Sequence, residues 1–120
     1  GAVDILDYLS ANYRLHIITN GFEEVQHLKL HNSGIKKYFS TVTTSEEVGL
    51  KKPHPVIFET ALMKASVAST QSVMIGDSLE ADIIGAQKAG MHTLFFNYRN
   101  EMVTAPHFAI SELSEIKKHL

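Results

Sequence analysis

The stretch that decides the fold covers residues 73–91 and reads "VMIGDSLEADIIGAQKAGM". Its opening apolar run predicts a short buried strand, which ends just before Asp77. Ser78 is a candidate cap for the helix that follows, Asp82 falls on the first turn of that helix, and Gly90 predicts its end. Open α/β sheets hold their ligands at the carboxyl ends of their strands. Asp77 is therefore expected where chemistry takes place.

Outward from this stretch, hydrophobic periodicity predicts alternating helices and strands. The predicted helices cover residues 3–12, 22–34, 55–66, 79–89 and 111–120, and the predicted strands cover residues 15–20, 41–44, 73–75, 92–97 and 108–110. Residues 45–49 predict a brief capped turn. This alternation is typical of an α/β fold of the Rossmann-like, three-layer α/β/α kind, with a mostly parallel sheet and helices on both faces.

Composition narrows the class of protein. With 120 residues and 44% apolar content, we expect one domain over residues 1–120. A formal charge of −2 with interspersed acids and bases gives no footprint for a nucleic acid polymer or a membrane surface. The chain has no cysteine, which excludes disulfides and fits a cytoplasmic location, and no apolar run reaches the length of a membrane span.

Three polar clusters follow predicted strands or precede predicted helices, at the edge where the strands' carboxyl ends should lie. They are Thr19-Asn20-Gly21, Lys51-Lys52-Pro53, and Asp77-Ser78 with Asp82. A hydroxyl, an ammonium group and carboxylates are what a phosphate and a hard divalent cation require. We expect phosphate contacts from Thr19, from the backbone amides of Asn20 and Gly21, and from Lys52.

Asp77 is the predicted ligand of Mg²⁺, which takes one or two protein carboxylates and keeps most of its waters. Asp82 is placed to hold Lys52 or a metal-bound water. Each residue also has a purely structural reading: Asp77 as a helix cap, Asp82 as an acid favoured by the helix dipole, and Asn20-Gly21 as a common turn. Only one of Lys51 and Lys52 is expected to face the site, because neighbours in an extended segment point to opposite sides.

The clusters resemble the motifs of the haloacid dehalogenase-like (HAD) hydrolases over nearly the whole chain. "IITNG" is similar to that family's second motif, "KKPHPVIF" to its third, and "GDSLEADIIGAQKAGM" to its fourth. The resemblance implies phosphate binding by Thr19, charge stabilisation by Lys52, a Mg²⁺ ligand in Asp77, and support of the lysine and metal by Asp82. "ITNGF" with "SEEVGLKKP" is most similar to the branch of 5′-nucleotidases and phosphoglycolate phosphatase-like enzymes.

The chain departs from the family pattern in its first motif. That motif is a strand ending in D-x-D that carries the aspartate nucleophile, and it is absent here, as is the cap domain that selects the substrate. Asp4 and Asp7 have D-x-x-D spacing on a predicted helix, so we interpret them as surface residues. We therefore expect the carboxyl-terminal part of a longer enzyme, an incomplete core fragment that does not turn over phosphomonoesters by itself.

In the family, the first-motif strand lies between the strand bearing Thr19 and the strand bearing Asp77. Without it, both neighbours have unpaired backbone groups, and exposed strand edges favour pairing with another chain. Our hypothesis is that the two strands close up together, or that a second copy or a missing fragment fills the gap.

The function that the resemblance implies is Mg²⁺-dependent hydrolysis of a small phosphorylated metabolite through an aspartyl-phosphate. A signalling receiver domain has a similar length, fold and residue vocabulary, but receivers place their acidic residues before the threonine and lysine, whereas Thr19 and Lys52 precede Asp77 here. A third candidate is a non-catalytic domain that binds phosphate.

Overall fold

The computed structural model describes residues 2–21, 28, 31–97 and 109–120. The α-helices are α1 (Ala2–Ser10), α2 (Ser45–Val48), α3 (Pro55–Ala65) and α4 (Gly85–Lys88), and the strands are β1 (Leu15–Thr19), β2 (Phe39–Thr44), β3 (Val73–Gly76), β4 (His92–Phe96) and β5 (Ala109–Ile110). The predicted helix over residues 22–34 falls largely outside the described residues, of which Leu28 and residues 31–33 are helical.

The strands form two parallel sheets. One has the order β1-β2, and the other has the order β3-β4-β5. Thr19 pairs with Thr44 at the end of β1, while Gly76 pairs with Phe95 at the end of β3. Among the described residues, β1 and β3 are not hydrogen-bonded to each other, so they do not close up into one sheet. The parallel pairing confirms the predicted fold class.

Helices cover the strands on two faces and join the two sheets through shared cores. On one face, Ile5 and Leu9 of α1 pack with buried residues of β4 and β5, and Leu15 of β1 and Ile75 of β3 join the same cluster. On the other face, Ile57 and Phe58 of α3 are fully buried and pack with Ile18 of β1 and Met74 of β3. Neighbouring residues of β3 thus face opposite layers, as the period of a strand requires.

The helix after β3 differs from the regular helix that the sequence predicts. Residues Leu79–Ile84 form a π-helix, in which the Ile83 amide donates to the Ser78 carbonyl oxygen at 3.2 Å, and α4 continues from it. Such π segments are rare and are frequent at functional sites. The last helix is also different, since Leu113–Lys118 is a 3-10 helix. Its first turn is held by Glu115, whose carboxylate accepts from the Ser111 hydroxyl at 2.8 Å.

Candidate active site

The site is built where β1 and β3 end, with Lys52 between them. The Lys52 Nζ lies 2.7 Å from Asp82 Oδ1, and the two side chains are only 13% and 6% exposed. Asp82 is held in turn by the Ser78 amide, which donates to its other carboxylate oxygen at 3.2 Å. The Ser78 hydroxyl accepts from the Ala81 amide at 3.1 Å, which confirms Ser78 as the helix cap.

Gly76 makes room for this carboxylate. A Cβ atom at Gly76 would lie 2.4 Å from Asp82 Oδ2, a distance that real Cβ atoms do not show. The last residue of β3 therefore has to be glycine for Asp82 to turn back against the strand. Sequence reasoning missed this requirement, and its signal is the glycine that directly precedes Asp77 at the end of an apolar run.

Thr19 and Gly21 form a small turn at the end of β1. The Gly21 amide donates to Thr19 Oγ1 at 3.2 Å, so in this structure that amide is directed at the hydroxyl. Thr19 is half-buried and Asn20 is exposed. The Asn20 side chain reaches the backbone of Lys52: its Oδ1 accepts from the Lys52 amide at 2.7 Å, and its Nδ2 donates to the Lys52 carbonyl oxygen at 3.4 Å. The sequence predicted a role for the Asn20 backbone amide but not this side-chain contact.

Asp77 directly follows β3 and is exposed. Its carboxylate has no hydrogen bond to the rest of the described chain. Hydrogen bonds join Asn20 to Lys52, Lys52 to Asp82, and Asp82 to the Ser78 amide. Thr19 and Asp77 are the chain neighbours of Asn20 and Ser78, the two ends of this series. Within the described part of the chain, no group of three or more His, Cys, Asp or Glu side chains is arranged to hold a metal ion.

The side chains of Lys51, Asp4 and Asp7 form no hydrogen bond with this set among the described residues. Lys51 is exposed and lines a cavity of about 310 Å³ together with Asn20, Ser45, Glu46 and Gly49. Asp4 and Asp7 lie exposed on α1, as predicted. Asp7 accepts a hydrogen bond from the Tyr38 hydroxyl, which raises the pKa of Tyr38 above its usual value.

The chain belongs to the haloacid dehalogenase-like hydrolases, whose family pattern matches residues 1–96. It is 37% identical to the pyrimidine 5′-nucleotidase YjjG of Escherichia coli (strain K12) over 124 aligned positions, which cover 100% of this chain and 55% of that protein. It is 42% identical to a glyceraldehyde 3-phosphate phosphatase of Methanothermobacter thermautotrophicus, over 78% of this chain and 41% of that protein.

A solved structure has the same fold at high similarity. The HAD-hydrolase YfnB of Bacillus subtilis, solved with bound magnesium, superimposes with a TM-score of 0.90 at 32% identity, over 99% of this chain and 53% of that one. The chain therefore spans about half the length of the relatives it matches. Membership of this family favours the hydrolase class over the receiver domain. Among the described residues, no helix is long and apolar enough to cross a membrane.

Proposed function

We propose that this chain supplies the phosphate-binding and metal-binding half of a Mg²⁺-dependent phosphomonoesterase. The observation that carries the proposal is the half-buried Lys52–Asp82 ion pair at 2.7 Å, tied by hydrogen bonds to the ends of β1 and β3. A charged lysine so placed offers a fixed positive group at the point where parallel strands end. Such a preorganised charge stabilises negative charge that develops on a phosphoryl group.

Mg²⁺ fits the donor set around Asp77. Its carboxylate is exposed at the end of β3 and is not engaged by the described residues, so an oxygen is available to a hard cation. One or two protein carboxylates suffice for Mg²⁺, because it keeps several waters. When bound, the ion would neutralise phosphate charge. The magnesium in the YfnB structure supports this assignment.

Each residue of the proposed site has its own role toward the phosphate. The Thr19 hydroxyl and the Asn20 backbone amide donate to its oxygens, and the Gly21 amide orients the Thr19 hydroxyl by donating to it. Lys52 compensates the charge of the transition state. Asp82 holds the ammonium group in place at 2.7 Å, and with a side chain only 6% exposed it is shielded from competing water.

The nucleophile has to come from another segment. We infer that a strand ending in an aspartate enters between β1 and β3, whose facing edges are not paired with each other in the described structure. That aspartate would attack phosphorus while the alcohol leaves, and water would then cleave the aspartyl-phosphate. This chain alone should therefore bind phosphate without hydrolysing p-nitrophenyl phosphate.

The substrate class that the relatives support is a small phosphorylated metabolite. Proteins similar to this chain are named as pyrimidine 5′-nucleotidases, glyceraldehyde 3-phosphate phosphatases and a ribulose-1,5-bisphosphate 5-phosphatase. We place the complete enzyme in the cytoplasm, where such metabolites are found.

A titration tests the proposal on the chain itself. Orthophosphate is added with and without Mg²⁺ while backbone and lysine signals are followed by heteronuclear NMR. The expected result is binding that Mg²⁺ strengthens, with shifts centred on Thr19, Lys52 and Asp77. Lys52→Ala should abolish the binding, whereas Lys51→Ala, which removes the same charge from an exposed neighbour, should preserve it. If both variants lost orthophosphate binding equally, the net charge of the chain alone would explain the loss, and the proposal would be contradicted.

A further inference from the structure

One side-chain amide holds both backbone groups of the central lysine. Asn20 Oδ1 accepts from the Lys52 amide at 2.7 Å, and Asn20 Nδ2 donates to the Lys52 carbonyl oxygen at 3.4 Å. The first distance is that of a strong hydrogen bond and the second is at the long end of the range, so the first carries most of the interaction. The partners are 32 residues apart in the chain.

The chemistry of this contact requires an amide. Asparagine presents an acceptor and a donor on one planar group, so it satisfies an N–H and a C=O of the same residue together. Aspartate would keep the acceptor but lose the donor, and alanine would lose both. The contact thus selects asparagine for its side chain, independently of the phosphate contact that its backbone amide is proposed to make.

We propose that Asn20 is a positioning residue that aims Lys52 at the phosphate. This inference rests on the proposed function of the site. A lysine has a flexible four-carbon stem, so its ammonium group is placed precisely only when both ends are fixed. Asn20 fixes the backbone end from the β1 side, and Asp82 fixes the ammonium end from the β3 side at 2.7 Å. Lys52 is thereby held across the space between the two sheets.

Burial indicates which end of Lys52 depends on Asn20. Asp82 is buried and is anchored by Ser78, so it is a fixed partner that the Lys52 ammonium group reaches only while the Lys52 backbone stays in place. The backbone that leads into Lys52 runs through the exposed residues 49–51, and Asn20 holds the Lys52 amide from outside this segment. Asn20 is itself exposed, so its removal should loosen Lys52 without opening the core.

The test uses Asn20→Ala, which retains the backbone amide at that position. Two readouts are followed by NMR: order and solvent exchange of the Lys52 ammonium group, and the affinity for orthophosphate with Mg²⁺. We expect the Lys52 ammonium group to become mobile and the dissociation constant for orthophosphate to rise about tenfold, as the loss of about one net hydrogen bond implies. The thermal midpoint should change little. Asn20→Asp, which keeps the 2.7 Å acceptor, should restore much of the ammonium order.

Asn12→Ala is the matched control, because Asn12 is also an exposed asparagine in a turn, outside the site. It should leave both readouts unchanged. An Asn20→Ala variant whose Lys52 ammonium group stays as ordered as in the parent chain would overturn the positioning role, whatever the phosphate result. If the parent chain binds no orthophosphate, the proposed function fails, and the ammonium readout alone still decides whether Asn20 orders Lys52.

Discussion

At the scale of single residues, the two acids of the fourth motif have opposite environments. Asp82 is buried and ion-paired, whereas Asp77 is exposed. A buried carboxylate that holds a lysine contributes to the folded state, and an exposed carboxylate is available to a ligand. The two acids are close together in the sequence. Only the structure shows that Asp82 holds Lys52, whereas Asp77 is exposed.

Asparagine substitutions should reveal this difference. Asp82→Asn leaves the Lys52 ammonium half-buried without its counter-charge, so we expect it to lower the free energy of unfolding by about 2–4 kcal/mol. Asp77→Asn should change it by less than about 0.5 kcal/mol, as exposed substitutions usually do. Urea unfolding of both variants measures this. Equal effects would mean that the ion pair does not stabilise the fold.

His16 makes stability depend on pH. Burial lowers the pKa of His16 below its usual value, and the nearby Arg14 charge lowers it further. Its Nδ1 lies 2.7 Å from the Thr41 hydroxyl oxygen, which joins β1 to β2. Because the folded state disfavours the protonated imidazole, the unfolded state binds more protons, and stability rises with pH through this range.

We therefore expect the parent chain to be more stable at about pH 7.5 than at about pH 5, with the loss beginning below the ordinary histidine pKa of about 6.5. His16→Gln, which cannot titrate, should show a smaller difference between the two pH values. Denaturant unfolding at each pH gives the comparison. A pH dependence that the substitution leaves unchanged would assign the effect to other groups.

At the scale of secondary-structure elements, the end of β2 sets the start of α2. The Thr44 hydroxyl accepts from the Glu47 amide at 3.2 Å, and Glu47 accepts from the Thr44 amide at 3.0 Å, which is a complete capping box. Glu47 also binds Lys64 of α3 at 3.0 Å, so the cap connects two helices. The preceding residue, Thr43, is equally buried, but its hydroxyl has no hydrogen-bond partner among the described residues.

These adjacent threonines form a matched pair for valine substitution. Thr44→Val removes the cap and should cost about 1–2 kcal/mol of stability. Thr43→Val replaces an unsatisfied buried hydroxyl with a methyl group of the same shape and should be neutral or stabilising by about 1 kcal/mol. Thermal or urea unfolding distinguishes them. A large loss for Thr43→Val would imply a hydrogen bond that the structure does not contain.

Much of the secondary structure could be predicted from the sequence, because its signals lie within a few residues of each other. The apolar runs of β1 and β3, the Pro55 start of α3 and the left-handed Gly90 follow from rules within a few residues. Gly85 is a close-packing position, since a Cβ there would lie 2.8 Å from the Phe58 ring. The π-helix was not predictable, because "LEADII" suits either kind of helix. The contact of Asn20 with Lys52 was missed because its partners are 32 residues apart.

At the scale of the whole molecule, the division into two sheets is the dominant feature. The same apolar clusters contact β1 and β3 on both faces, so the layers are continuous although the strands are not paired with each other. Unpaired strand edges favour addition of a further strand. The proposed site lies at the carboxyl ends of β1 and β3, where a strand that enters between them would place its last side chains.

We predict that the isolated chain self-associates through this space when no other strand fills it. Size-exclusion chromatography with light scattering should give a mass above 13.3 kDa that rises with concentration. A peptide with the sequence of a first-motif strand should compete and return the chain to its monomer mass plus that of the peptide. A monomer at all concentrations would exclude pairing between copies.

The most direct test of the central claim is to complete the enzyme. The part of E. coli YjjG that lies outside the aligned region is joined to this chain, and hydrolysis of p-nitrophenyl phosphate is measured with and without Mg²⁺. The account predicts Mg²⁺-dependent turnover that falls about 100-fold or more in Lys52→Met and in Asp77→Asn, but not in Lys51→Met. A folded chimera without activity, or one whose activity survives both substitutions, would contradict it.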